Sequence, residues 1–267
     1  MSINKKISIL LSAFLFLLGI AGCGTQAKPT TSLITQSKVP EPYTLALEKL
    51  NAGDLDMALK YTDFVINDFK DSPYIYNAQL IKSTILVSKL TVNGIKVSYM
   101  LDGMHRMGTL NNMDDVNKVK SYSDFIIAQG REYEASLKEP IRYVLVNFDE
   151  SDVHKVKFPD PPSSLTAPSK SDFGGLSWFA DVGYPIPKED EIKGDDKEGI
   201  LKAFYWIAGS YSKTRSFSYP DFFYNASIKI EDVALRKDLL NKVLQLTESD
   251  KYNEIRINAQ EDLIKLK

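Results

Sequence analysis

From Pro42 onward the apolar positions fall at helical intervals. Leu45, Ala46, Lys49 and Leu50 follow that spacing, and Gly53 supplies a helix stop. Asp54 is placed to cap a second helix. Leu55, Ala58, Leu59, Thr62, Val65, Ile66 and Phe69 would line its inner face. Ser72-Pro73 gives a cap followed by proline at the first helical position. The spacing then predicts a third helix to about Lys89, with Ala78, Ile81, Ile85 and Leu86 inward. Helices joined by turns this short must pack on each other, and Ala58 is small enough to let their backbones approach.

Further along, Asn93-Gly94 predicts a break. Helices are expected over Ile95 to Met107 and from Met113 to about Lys138, with Asp114 and Asp115 complementing the dipole of the second. Pro140 opens Ile141 to Phe148, an apolar run that suits either a helix extension or a short strand. Residues 149–196 hold six of the twelve prolines and predict a long irregular insertion. Helical spacing resumes over Asp196 to Ser212. A loop is expected over Ser216 to Asn225, then two closing helices at about 229–247 and 250–266. The class is mostly α. It divides into a helical region over 42–148, the Pro/aromatic-rich loop segment over 149–196 and a C-terminal helical region over 197–267.

The first residues follow another pattern. Lys5 and Lys6 precede an apolar run from Ile7 to Ile20. Such a run is shorter than the roughly 20 residues that span a membrane, and it fits the apolar stretch of a secretory signal. Ile20-Ala21-Gly22-Cys23 follows at its end. This tetrapeptide resembles the lipobox of bacterial lipoproteins: an aliphatic residue, two small ones, then the cysteine. The resemblance implies a signal peptide over 1–22, lipid attachment at Cys23 with acyl chains such as palmitate, and a lipidated tether over 23–41 rich in Thr, Ser, Gln, Lys and Pro. Each buried CH₂ adds about 0.8 kcal/mol, so two or three chains anchor firmly. The implied location is the cell membrane or the outer membrane, on its extracytoplasmic side. An ordinary signal peptide followed by an incidental cysteine is the plain alternative. Cys23 is the chain's one cysteine, which excludes internal disulfides and cysteine-based metal clusters.

A second resemblance covers about residues 42–90. Gly53, Leu55, Ala58, Phe64 or Val65, and Pro73 resemble a tetratricopeptide unit of the kind found in envelope lipoproteins of the barrel-assembly type. Phe69-Lys70-Asp71-Ser72-Pro73-Tyr74 stands at its turn. The resemblance implies antiparallel helical hairpins. A second copy with the same glycine, alanine and proline is not visible, and arrays normally need about three units.

Composition narrows the function. The first 22 residues carry two lysines and no acids, so the formal charge of −2 becomes −4 over the remaining 245 residues. A mildly acidic chain without a basic block argues against nucleic-acid binding. His105 and His154 are the only histidines and are far apart, and no metal-ligand spacing surrounds either. Phosphate loops, dinucleotide fingerprints and Gly-x-Ser-x-Gly are absent from the sequence. Acids at Asp149-Glu150, Glu189-Asp190-Glu191 and Asp195-Asp196 read as solvated loop charges rather than a glycosidase pair. An enzyme is not expected, nor a cofactor or metal. The expected role is a lipid-anchored module that binds or scaffolds a protein or peptide of the envelope. The alternative is a ligand-binding lipoprotein of an envelope transport system.

Aromatics supply the candidate docking residues. Between Phe148 and Tyr224 lie 15 of the chain's 29 aromatics. Either this stretch folds back to complete the core, or some of its rings stay exposed as a partner-docking patch. Trp178, Phe179, Phe222 and Phe223 are the candidates for docking, because each is expected in a loop.

Overall fold

A computed structural model of the chain describes residues 41–106, 113–149, 158–166, 196–209, 217–249 and 253–266. The chain divides into two units, Met1–Lys38 and Val39–Lys267, and all the described residues belong to the second. It is mostly helical, and no strand occurs among the described residues. The helices are α1 (Glu41–Asn51), α2 (Leu55–Asp68), α3 (Ile75–Arg106), α4 (Met113–Val146), α5 (Lys197–Ile207), α6 (Tyr219–Ser227), α7 (Val233–Leu246) and α8 (Glu254–Lys265).

Helix α3 is the axis of the unit, with α2, α4, α5 and α6 all packed against it. Burial on nearly every face between Ala78 and Asn93 explains its composition. Ser83, Thr84 and Ser88 are fully buried beside Ile85, Leu86 and Val87. Two of these hydroxyls donate to carbonyls one turn back, Thr84 to Leu80 at 2.8 Å and Ser88 to Thr84 at 2.7 Å. The polarity of Thr84 and Ser88 is thereby satisfied inside the helix, whereas the buried Ser83 hydroxyl finds no hydrogen-bond partner among the described residues. The pairing of α2 with α3 is antiparallel, since Lys82 reaches Asp63 and Lys89 reaches Asp56.

Asn93-Gly94 does not break the chain; α3 runs through it for 32 residues. Glycine inside a helix costs about 1 kcal/mol relative to alanine. Val92 and Asn93 are buried, and the Asn93 amide donates to Gln129 Oε1 on α4 at 3.0 Å, so tertiary contact outweighs the local penalty. Pro140 likewise lies inside α4, where proline normally costs about 3 kcal/mol. Leu137, Ile141 and Val144, all fully buried, hold the helix across it. The Ile141 to Phe148 run therefore extends a helix. Toward their distal ends α3 and α4 share a separate small core of Met100, Val119 and Ile126.

The expected loop over Ser216 to Asn225 holds a helix instead. Ser218 caps α6, and Pro220 sits in its first turn, where a missing N–H removes no helical bond. Residues 158–166 are irregular, and Phe158 and Leu165 pack onto the main core.

Candidate functional site

The α1–α2 turn meets α3 and α5 around a small cavity. It measures about 190 Å³ and is lined by Ala52, Gly53, Asp54, Leu55, Asp56, Lys89, Lys197 and Ile200. Gly53 has φ +74°, a left-handed conformation that favours glycine. A Cβ there would stand 3.0 Å from Leu201 Cδ2, so glycine also permits α5 to approach. Tyr205 of α5 donates its hydroxyl to the Leu50 carbonyl at 3.4 Å. Asp54 caps α2 by accepting from the Met57 N–H at 3.2 Å.

Three of the four charged residues lining the cavity, Asp54, Asp56 and Lys89, are engaged with protein groups. The Lys89 ammonium lies 2.5 Å from Asp56 and 5.2 Å from the centre of the Tyr133 ring. The Asp54 carboxylate is occupied by its helix cap. Nothing lining the cavity is a histidine, a cysteine or a hydroxyl nucleophile. Among the described residues no group of three or more His, Cys, Asp or Glu could hold a metal. No described helix is long and apolar enough to cross a membrane.

The candidate residues fall in two groups. Cys23, Trp178 and Phe179 lie outside the described residues, as does His154. Phe222 and Phe223 are described, and the docking expectation for them is corrected. Both are 0% exposed on α6, so neither can meet a partner. The physical reason is a ring cluster. Phe222 stands 5.3 Å from Phe217, and Phe223 stands 5.9 Å from both Phe148 and Tyr219. Phe158 joins the cluster through Phe204 at 5.5 Å and Phe217 at 5.1 Å. At these positions the aromatic stretch completes the core.

Exposed rings occur elsewhere. Phe64 is 41% exposed on α2, with the Tyr61 ring 6.3 Å away. Phe69, expected on the inner face, is 39% exposed just past the helix end. Met57, Tyr61 and Phe64 recur at i, i+4 and i+7, a stripe one position offset from the buried stripe of Ala58, Thr62 and Val65. That offset was the available signal, hidden because both stripes are largely apolar.

Burial perturbs a few titrating groups. It raises the Tyr43 hydroxyl, partly offset by a hydrogen bond from Asn77. It raises Tyr224, with the Asp262 carboxylate adding to the effect. Burial alone lowers the Lys229 ammonium. These groups are dispersed, and nothing assembles them into an acid–base pair. No protein-family model, no curated protein and no solved structure matches the chain.

Proposed function

We propose that the chain is a lipid-anchored extracytoplasmic protein whose helical domain binds or scaffolds a protein of the cell envelope, at the cell membrane or the outer membrane. One observation carries the reading: the single cysteine of 267 residues stands directly after Ile20-Ala21-Gly22, at the end of an apolar run behind two lysines. The run is the length of a secretory signal, and the small residues admit a protease.

The repeat-like part of the proposal rests on residues 42–90. Gly53, Leu55, Ala58 and Pro73 stand where a tetratricopeptide-like unit has them. Ala58 is fully buried, and α1, α2 and the first half of α3 are consecutive packed neighbours. Stacked helices present extended surfaces that suit a polypeptide partner.

Metabolic labelling with a palmitate analogue tests the anchor. Wild-type protein should take the label and fractionate with membranes, and Cys23→Ser should do neither. Unchanged labelling of the serine variant would overturn the anchor. Cross-linking in native membranes tests the scaffold: a stoichiometric envelope protein should be captured, and a chain that stays alone would overturn that half.

A further inference from the structure

We infer that the end of the domain where α1 begins rests on the membrane surface, seated through exposed rings on α2 and just past its end. The inference builds on the lipid-anchor reading above. Its geometric part is independent. The Tyr43 ring stacks on Tyr74 at 4.8 Å, and Asn77 donates to the Tyr43 hydroxyl at 3.3 Å. These contacts fix the start of α1 beside the α2–α3 connection, the same end that carries Phe64 and Phe69. The chain therefore enters the domain next to two of its exposed rings; Phe125, Tyr143 and Trp206 are exposed on other helices.

Cys23 and Glu41 are 18 positions apart, a span of at most about 65 Å. Lipid at Cys23 would hold this end near the bilayer at an effective concentration in the millimolar range. A weak contact is then sufficient, and aromatic side chains suit the lipid–water boundary. Charge selects the kind of surface. Glu41, Asp68 and Asp71 are exposed here and outnumber Lys70, so anionic headgroups are repelled. The occupant is a zwitterionic lipid surface, entered by Phe64 and Phe69 with Tyr61 behind them.

The test uses full-length lipidated protein in phosphatidylcholine vesicles. With Cys23 acylated, an introduced cysteine is the only free thiol. Asn67→Cys lies one turn from Phe64 and is exposed; Gln260→Cys is exposed on α8, which packs on α6 and α7. A polarity-sensitive fluorophore at position 67 should brighten several-fold and shift to the blue on vesicles, while one at 260 should not. Adding Phe64→Ala and Phe69→Ala to the Asn67→Cys protein should abolish the change without releasing it from vesicles. Both rings are already exposed, so unchanged melting is the check on folding. Protein that does not float with vesicles overturns the anchor, and this inference with it. Protein that floats with position 67 as wet as 260, or with both equally buried, overturns this inference alone.

Discussion

The α1–α2 hairpin and helix α6 are both held by burial, with different materials. The hairpin buries one face of each helix. Small Ala58 and Ala46 sit fully buried at the contact, Gly53 turns the chain and Asp54 caps the return. Its stability is spread over many modest contacts and local signals. Helix α6 has nine residues, four of them aromatic. Tyr219, Phe222 and Phe223 are all at most 2% exposed and join Phe148, Phe158, Phe204 and Phe217 in one ring cluster. Here a few large side chains contribute most of the burial. The hairpin should therefore tolerate loss of single contacts, whereas α6 should not.

The largest effect is expected in the cluster. Phe222→Ala or Phe223→Ala should each cost about 3–5 kcal/mol, as truncation of a buried ring does. Thermal and denaturant melts check this. A variant melting with wild type while losing a binding partner would mean that these two rings serve docking rather than the core.

Overpacking is the matching test in the hairpin. Ala58→Leu should cost about 1–3 kcal/mol, since Ala58 is fully buried where α2 meets its neighbours. Gly53→Ala should cost about 1–2 kcal/mol from its left-handed backbone. The Leu201 methyl 3.0 Å away must also yield. Equal melting of both variants with wild type would mean that the hairpin depends on neither close approach nor turn geometry.

What could be read in advance follows the same division. The hairpin was legible because its signals are local: Gly53, Asp54 and Pro73 mark ends, and the apolar spacing marks faces. Helix α6 was not. Five aromatics within Phe217 to Tyr224, with Pro220 among them, carry no one-sided periodicity when nearly every face is buried. The continuity of α3 at Gly94 and of α4 at Pro140 was hidden for a related reason. Both are local breakers overridden by partners distant in sequence, such as Gln129 opposite Asn93. The exposure of Phe69 was equally illegible, because an apolar residue at a helix end has the same spacing whether or not a neighbour covers it. Docking candidates chosen as loop aromatics failed at Phe222 and Phe223 through this same confusion of irregular pattern with surface.

The smallest expected effect separates the regions by how each accommodates a lysine. Beside the hairpin, Lys89 has a side chain only 6% exposed, and Asp56 answers its charge at 2.5 Å. Beside α6, Lys229 lies against α3, its Nζ 3.9 Å from where a Cβ on Gly94 would stand. Desolvation lowers its pKa from the ordinary 10.5. The consequence for stability has a definite sign. Well below the folded-state pKa both folded and unfolded chains carry the proton, and the full desolvation cost is present. Between the folded pKa and 10.5 the unfolded chain binds more protons, so stability rises with pH. Above 10.5 both states are neutral and the cost is gone. Lys229→Met keeps an unbranched apolar stem and removes the charge. It should stabilise the protein at pH 7 by under about 1 kcal/mol, because the site is only partly buried. That advantage should shrink as pH climbs toward the ordinary lysine value. Denaturant melts of both proteins across that range decide the matter. A constant difference would assign the effect to packing, and a loss of stability at pH 7 would mean that Lys229 has a favourable partner after all.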